Sequence, residues 1–371
     1  MCRSVNSKAA VLRQFNTPLD FEDVELLDLD TDEVLVKIVA SGVCRTDLSI
    51  ATGHFGNVPL PLVPGHEAAG VVSEVGGTVS SLKRGDHVLA VWIYSCNNCE
   101  YCLSGRPNLC KNGNTSLLNA TLPSGKIKIK DRKGVPVHHG SGTALHADHA
   151  ILNQRNLVKI PDEVPLDKAS VVGCAVMTGV GAAVNAAQVK PGSTVAVVGV
   201  GGVGVNVVQG ARIAGAEKII VLDKFDNKLE AAFKFGATHT INTNNDPKGK
   251  LLSITPDGVD YSFEATGNYL SMELAYSLIK PGGTTVIVGA ESPTATISIP
   301  ALDLVGSQKT IKGSWYGSTN PRFDAARCIK LYSSGKLLLD ELISAKYEPS
   351  QINQVFSDME SGKIIRGILI H

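Results

Sequence analysis

Four apolar residues, Val195-Ala196-Val197-Val198, run directly into Gly199-Val200-Gly201-Gly202-Val203-Gly204. No other feature constrains the fold as much. An apolar run without polar alternation marks a strand covered on both faces, as in a parallel sheet between helical layers. A Gly-x-Gly-x-x-Gly turn after such a strand lets a helix begin tight against it and lets backbone approach a pyrophosphate at the helix N-terminus. In that reading Gly199 serves the turn, Gly201 (with Gly202 and Val203) the close approach, and Gly204 the helix–strand packing. The motif alone is weak, but its context strengthens it. A second strand, Lys218–Leu222, ends at Asp223, 24 residues beyond Gly199. That is near the ~20-residue spacing of the acid that accepts the ribose hydroxyls of a dinucleotide. A 2′-phosphate would meet like charge there, so NAD is expected over NADP, although Lys224 works the other way. A helix follows, with Asp226 near its start and Gly236 just past its end. Further strands are expected at Thr238–Ile241, Val259–Glu264, Thr284–Val288 and Thr310–Lys312. Residues 177–316 therefore read as an α/β, doubly wound parallel six-stranded domain that binds a dinucleotide.

Residues before 177 read differently. Short strands at Glu33–Ala40, Ala68–Val75 and His87–Val91 are separated by Pro and Gly clusters, giving a β-rich domain. The basic run Lys126, Lys128, Lys130, Arg132, Lys133 alternates with apolar residues and is expected to be a solvated hairpin face. The tail after residue 316 is expected to rejoin this domain.

The eight cysteines sort by spacing. Cys96, Cys99, Cys102 and Cys110 form C-x2-C-x2-C-x7-C, enough to close a tetrahedron of thiolates around one Zn²⁺ in a lobe of about residues 95–111. A closed four-thiolate site has no open position, so its role is structural. Cys44, in Gly42-Val43-Cys44-Arg45-Thr46-Asp47, and Cys174, in Gly173-Cys174-Ala175, stand beside informative neighbours, as does His66 in Gly65-His66-Glu67. Each alone is ambiguous, because a lone Cys is usually a small buried hydrophobe. Together they offer two thiolates and one imidazole with one position open. Cys2 and Cys328 have no assigned role.

Composition removes other classes. Lys plus Arg and Asp plus Glu are each 35, and aromatic residues are 5%. That balance disfavours a nucleic-acid or polyanion binder. The first residues lack the apolar core of a signal peptide. The apolar stretch Val195–Val208 is broken by glycines and Asn206 and falls short of a membrane span. An intracellular, cytoplasmic protein with metal-binding rather than disulfide-bonded cysteines is expected.

With these motifs the chain resembles, over essentially its whole length, the zinc-dependent alcohol dehydrogenases of the medium-chain dehydrogenase/reductase superfamily. The resemblance implies a GroES-like β-rich catalytic domain (1–176 and 317–371) and a Rossmann NAD-binding domain (177–316), with the active site in the cleft between them. It implies a catalytic zinc on Cys44, His66 and Cys174, with Glu67 behind it, beside the structural zinc, hence two zincs per subunit. Asp47 would hold the far nitrogen of His66, and Thr46 would take the proton of the bound alcohol. Arg45 and Arg366 would hold the pyrophosphate, Lys228 the adenosine ribose, and Thr178 and the backbone near Val288 the nicotinamide. The implied activity is interconversion of an alcohol with its aldehyde or ketone by hydride transfer to NAD.

Two departures qualify the carry-over. Many relatives carry a proton-relaying His where this chain has Leu48-Ser49, so Ser49, a ribose hydroxyl or water is left for the outer end. Gly140 and Ser141 stand where some relatives have bulky residues, so a roomier pocket and larger primary or aromatic alcohols are expected. Trp92 matches a pocket aromatic and suits a core position equally. A thiol-adduct (formaldehyde-type) dehydrogenase would need a cationic substrate anchor, and none stands out. A non-enzymatic zinc- and cofactor-binding relative is disfavoured by the intact Cys44, His66, Cys174 and Thr46. The family forms dimers or tetramers, and the long segment between Cys110 and Thr143 resembles dimeric members, so a homo-oligomer is expected, a dimer in preference to a tetramer.

Overall fold

The computed structural model describes residues 4–56 and 58–371, so Cys2 lies outside the described residues. Two units are present: the chain up to Cys174 with Asn320–Gly335 and Ile343–His371, and Ala175–Thr319 with Lys336–Leu342.

The second unit is built on one six-stranded sheet in the order His239–Asn242, Lys218–Asp223, Thr194–Val198, Val259–Glu264, Ile279–Ile287, Thr310–Gly313. Every neighbouring pair is parallel. The central strands are buried on both faces, with Val195, Ala196 and Val197 at 0% exposure, which is why they read as continuous apolar runs. Strand order reverses between Thr194–Val198 and Val259–Glu264, the switch point at which doubly wound sheets open a crevice. The helix Gly202–Ile213 starts there with Gly201 as its N-cap. Its buried Gln209 accepts a hydrogen bond from Leu338 N–H at 2.7 Å and donates to Leu338 C=O at 3.1 Å. Arg212 donates to Lys336 C=O at 2.7 Å. These bonds explain why Lys336–Leu342 joins this unit, whereas the composition of the tail had suggested the other.

In the first unit the strand Glu33–Val43 is the spine. It pairs antiparallel with Ala68–Val75, His149–Asn153 and Gly367–Ile370. Val34, Val36 and Ile38 are almost wholly buried, each contributing roughly 1.5–3 kcal/mol of transfer free energy. A second sheet runs Val5–Val11, Asp20–Leu26, Ile129–Asp131, Pro136–His139, Leu62–Val63. Here the basic run departs from expectation. Lys128 is buried, donating to Asp28 C=O at 2.6 Å and pairing with Asp30 and Glu33 at 3.0 and 3.5 Å. Lys126 pairs with Asp30 at 2.7 Å. Three acidic or carbonyl partners supplied from residues 28–33 draw the ammonium inward, which the local alternation could not reveal.

Among the described residues one helix, Leu166–Ala187, is long and apolar enough to cross a membrane, yet 89% of its most apolar window is buried in protein. Cys328, in the helix Pro321–Ser333, is 1% exposed, and burial pushes its thiol up to about 12. It is an unreactive core residue.

Candidate active site and metal centres

Strand and helix geometry bring Cys44, His66, Glu67 and Cys174 together, with one donor atom from each within 4.8 Å of the others. Cys44 follows the spine strand and caps the helix Arg45–Ala51. Asp47, in the first turn of that helix, accepts the Cys44 N–H at 2.9 Å. Its other oxygen accepts the Gly65 N–H at 3.1 Å and faces His66 Nδ1 at 3.0 Å. One carboxylate thus fixes two backbone segments and the rotation of the imidazole, leaving Nε2 for the metal side. Cys174 sits in a π-helical turn, Val172–Val176, inside the long buried helix. Such one-turn widenings re-aim a side chain and recur at functional sites.

All four groups are buried: Cys44 5%, His66 2%, Glu67 0% and Cys174 6% exposed. A hydrogen bond from Cys174 holds the Cys44 thiol well below its usual range, assisted by Arg366 and His66 against desolvation. The same bond and burial push Cys174 up. Burial pushes Glu67 up to about 7, with Arg366 pulling the other way. Asp47 is held low against burial by His66 and His146. Arg366 forms an ion pair with Glu67 and donates to Val43 C=O at 2.7 Å. It is 4% exposed, so its charge is engaged behind the thiols.

The donor set tests well for zinc. Two thiols and one imidazole converge, the imidazole is oriented by a carboxylate in the manner of metal-bound histidines, and Glu67 is already answered by Arg366. Cys96, Cys99, Cys102 and Cys110 form the second cluster, again within 4.8 Å of one another. Cys96 and Cys102 Sγ are 3.9 Å apart, close to the ~3.8 Å edge of a tetrahedron with Zn–S near 2.3 Å. Cys96 Sγ accepts the Cys99 N–H at 3.2 Å and Cys110 Sγ the Cys96 N–H at 3.3 Å, so the backbone fixes the positions of both sulfurs.

The dinucleotide turn also fits its ligand. A Cβ on Gly204 would lie 1.8 Å from Gly199 C=O, whereas one on Gly201 would meet nothing within 4 Å. Gly204 is therefore a packing glycine, and Gly201 opens the helix N-terminus to solvent. Asp223 accepts the Val200 N–H at 2.8 Å and the Phe225 N–H at 3.0 Å, so its carboxylate is fixed beside that opening.

Comparison with known proteins agrees. Residues 30–162 match the alcohol dehydrogenase GroES-like domain and residues 202–331 the zinc-binding dehydrogenase domain. Putative alcohol dehydrogenase D of Mycobacterium tuberculosis is 38% identical over 381 residues, covering 99% of this chain and all of that protein. The chain belongs to the zinc-dependent alcohol dehydrogenase family. It is an oxidoreductase acting on alcohols. Benzyl alcohol dehydrogenase from Acinetobacter calcoaceticus superposes with a TM-score of 0.93 at 31% identity, covering 99% of both chains. A putative zinc-binding dehydrogenase from Sinorhizobium meliloti 1021 bound to NADP superposes at 0.82, with 25% identity and coverage of 99% of this chain and 100% of that one. The zinc-binding dehydrogenase match and the NADP-bound neighbour thus support zinc and a nicotinamide cofactor for this dehydrogenase.

The remaining residues of the dehydrogenase are placed as follows. Arg45 is exposed, and Thr46 and Ser49 are half-buried, all on the helix that Cys44 caps. Trp92 stands edge-on to His66, ring centroids 6.2 Å apart, so it borders the metal site. Lys228 is buried with its ammonium 5.0 Å from the Phe225 ring centre. Thr178 is buried in Met177–Gly181, and Val288 N–H donates to Glu264 C=O at 2.9 Å. Gly140 differs from expectation: a Cβ there would lie 2.5 Å from Val63 C=O and 2.9 Å from Pro64 Cα. Its small size serves backbone packing and leaves no pocket space. Ser141, buried at φ 54°, belongs to the same tight turn. Sequence reasoning missed Ser41, His146 and His371, whose side chains line up behind Asp47. No spacing signal announces them, because their bonds span 105 and 330 residues.

Proposed function

We propose that this dehydrogenase oxidises primary alcohols, aromatic ones among them, to aldehydes with NAD, using one catalytic and one structural zinc per chain. The carrying observation is the convergence of Cys44, His66 and Cys174 with Asp47 on the far nitrogen of His66. Zinc held there supplies Lewis acidity, an effect that lowers the pKa of bound water from about 15.7 to ~7. The chain's own residues do the rest. Cys44, His66 and Cys174 hold the metal, and Asp47 keeps His66 oriented. Thr46 accepts the hydroxyl proton of the substrate and passes it toward Ser49 or solvent. Trp92 offers an aromatic edge beside the metal and helps exclude water. The Gly201 helix end receives the pyrophosphate. Asp223 accepts the ribose hydroxyls, and its charge supports NAD over NADP. Aromatic substrates are supported by the likeness to benzyl alcohol dehydrogenase and by Trp92. The reading also takes the protein as a cytoplasmic homodimer.

The test is NADH formation across a panel of aliphatic and aromatic alcohols by zinc-loaded protein, with metal counted per chain. Turnover with two zincs, and loss of one zinc and of turnover in Cys44→Ala, is the expected result. Zinc-loaded protein that reduces no NAD with any alcohol would overturn the reading.

A further inference from the structure

Behind Asp47 an unbroken line of hydrogen-bonding side chains reaches the surface. Asp47 Oδ2 lies 3.3 Å from His146 Nε2, and His146 Nδ1 lies 3.0 Å from Ser41 Oγ. Ser41 Oγ lies 3.1 Å from His371 Nε2, and His371 Nδ1 lies 3.2 Å from Asp148 Oδ1. Asp47, Ser41 and His146 are 0% exposed. The His371 side chain is 1% exposed, and only Asp148, at 38%, reaches solvent. We propose that His146, Ser41 and His371 are positioning residues: a chain, one proton richer than its neutral side chains, that holds Asp47 in place behind His66. The proposal rests on the zinc reading of Cys44, His66 and Cys174.

Proton counting carries it. Four hydrogen bonds join Asp47, His146, Ser41, His371 and Asp148, and each needs one hydrogen. The terminal carboxylates donate none when ionised. Neutral His146, Ser41 and His371 bring one hydrogen each, whatever their tautomers. Three hydrogens cannot fill four bonds, and each bond has at least one buried imidazole or hydroxyl partner that would be left unsatisfied at a cost of about 1–3 kcal/mol. One further proton completes the line. It resides on His371 or on His146, and the two states interconvert by one concerted shift. His371 Nε2 gives its hydrogen to Ser41 Oγ as Ser41 gives its own to His146 Nδ1. Charge and atoms balance, and the buried Asp47 carboxylate gains an imidazolium partner without help from the metal ligand. At the outer end the titratable and charged neighbours are Asp148, His149 and Lys37. Burial holds the His371 imidazole below its ordinary value, the hydrogen bond to Asp148 works the other way, and positive charge on His146 lowers it further, so the line holds one added proton and not two.

The experiment uses protein labelled with ¹⁵N in histidine, after its zinc has been counted. Imidazole nitrogen shifts are followed from about pH 5 to 8, the range of histidine titration. The His146 and His371 rings are expected to titrate together. Ser41→Ala should uncouple them, and Ser41→Thr should restore the coupling. Zinc transfer from the catalytic site to a chelator should quicken about 10-fold in Ser41→Ala, the usual size of an effect through a ligand's hydrogen-bond partner. The structural zinc should be unaffected. Independent titration in the parent protein, or titration and zinc transfer unchanged by Ser41→Ala, overturns the proposal. Coupled rings in protein that binds only one zinc would instead sink the zinc reading and leave the chain standing.

Discussion

At the scale of single residues, charge and burial decide most outcomes. Asp223 is fixed by two backbone N–H groups beside the Gly201 opening, so its charge acts at one place. Asp223→Gly should raise the preference for NADP relative to NAD by roughly 10- to 100-fold, in line with the ~1.5–3 kcal/mol of a hydrogen bond to a charged group. The ratio of kcat/KM for the two coenzymes measures it, and an unchanged ratio would move the ribose contact elsewhere. His139 shows the same logic in stability. It is 0% exposed, its Nε2 accepts the Lys128 N–H at 3.0 Å, and burial lowers its pKa from 6.5 to about 3. The folded state thus refuses a proton that the unfolded chain accepts. Its contribution is complete above about pH 6.5 and is lost as pH falls from there toward 3. Between pH 6.5 and 4.5 the parent protein should lose about 2–3 kcal/mol through this residue. Urea midpoints of parent and His139→Gln at the two pH values check this: the variant keeps an acceptor and should lose correspondingly less.

At the scale of elements, the zinc lobe is held by its sulfurs. Helix Glu100–Leu103 has no buried residue, and Leu103 is 72% exposed, so little apolar burial supports it. Structural zinc sites supply folding free energy directly, about 10–16 kcal/mol of binding in isolated fingers. Cys102→Ser should therefore remove one zinc per chain and abolish amide-exchange protection between Cys96 and Cys110, while the sheet around Glu33–Val43 stays protected. The elements also show what the sequence could carry. The six parallel strands were legible because burial on both faces leaves unbroken apolar runs, and the four-cysteine spacing was legible because its ligands are local. Leu166–Ala187 was not, since Gly173, Gly179 and Gly181 interrupt its pattern. Nor was the pairing of Arg366 with Glu67, which depends on Gly367–Ile370 returning to the spine strand from the far end of the chain. Gly140 was read as room in a pocket because a missing side chain looks the same in sequence whether it faces backbone or a void.

At the scale of the whole molecule, the parallel sheet ends on an open edge. Among the described residues the strand Thr310–Gly313 pairs only with Ile279–Ile287, and Thr310, Lys312 and Gly313 are exposed. In the same unit, Leu302 and Val305 are 83% and 73% exposed on the helix Ala301–Gly306. An unpaired edge accompanied by bare apolar side chains is a liability in a lone chain. Two copies related by a twofold axis would answer it, because such an interface is self-complementary: each edge meets its own copy antiparallel, and the apolar side chains are covered in the same operation. The 39.0 kDa chain should accordingly sediment as a dimer. Leu302→Asp with Val305→Asp should shift it to the monomer, because each buried carboxylate would be desolvated without a partner. Both substituted side chains point to solvent within their own unit, so the monomer's circular dichroism and zinc content should match the parent's. A double variant that still sediments as a dimer would place the subunit contact on another face and leave this edge unexplained.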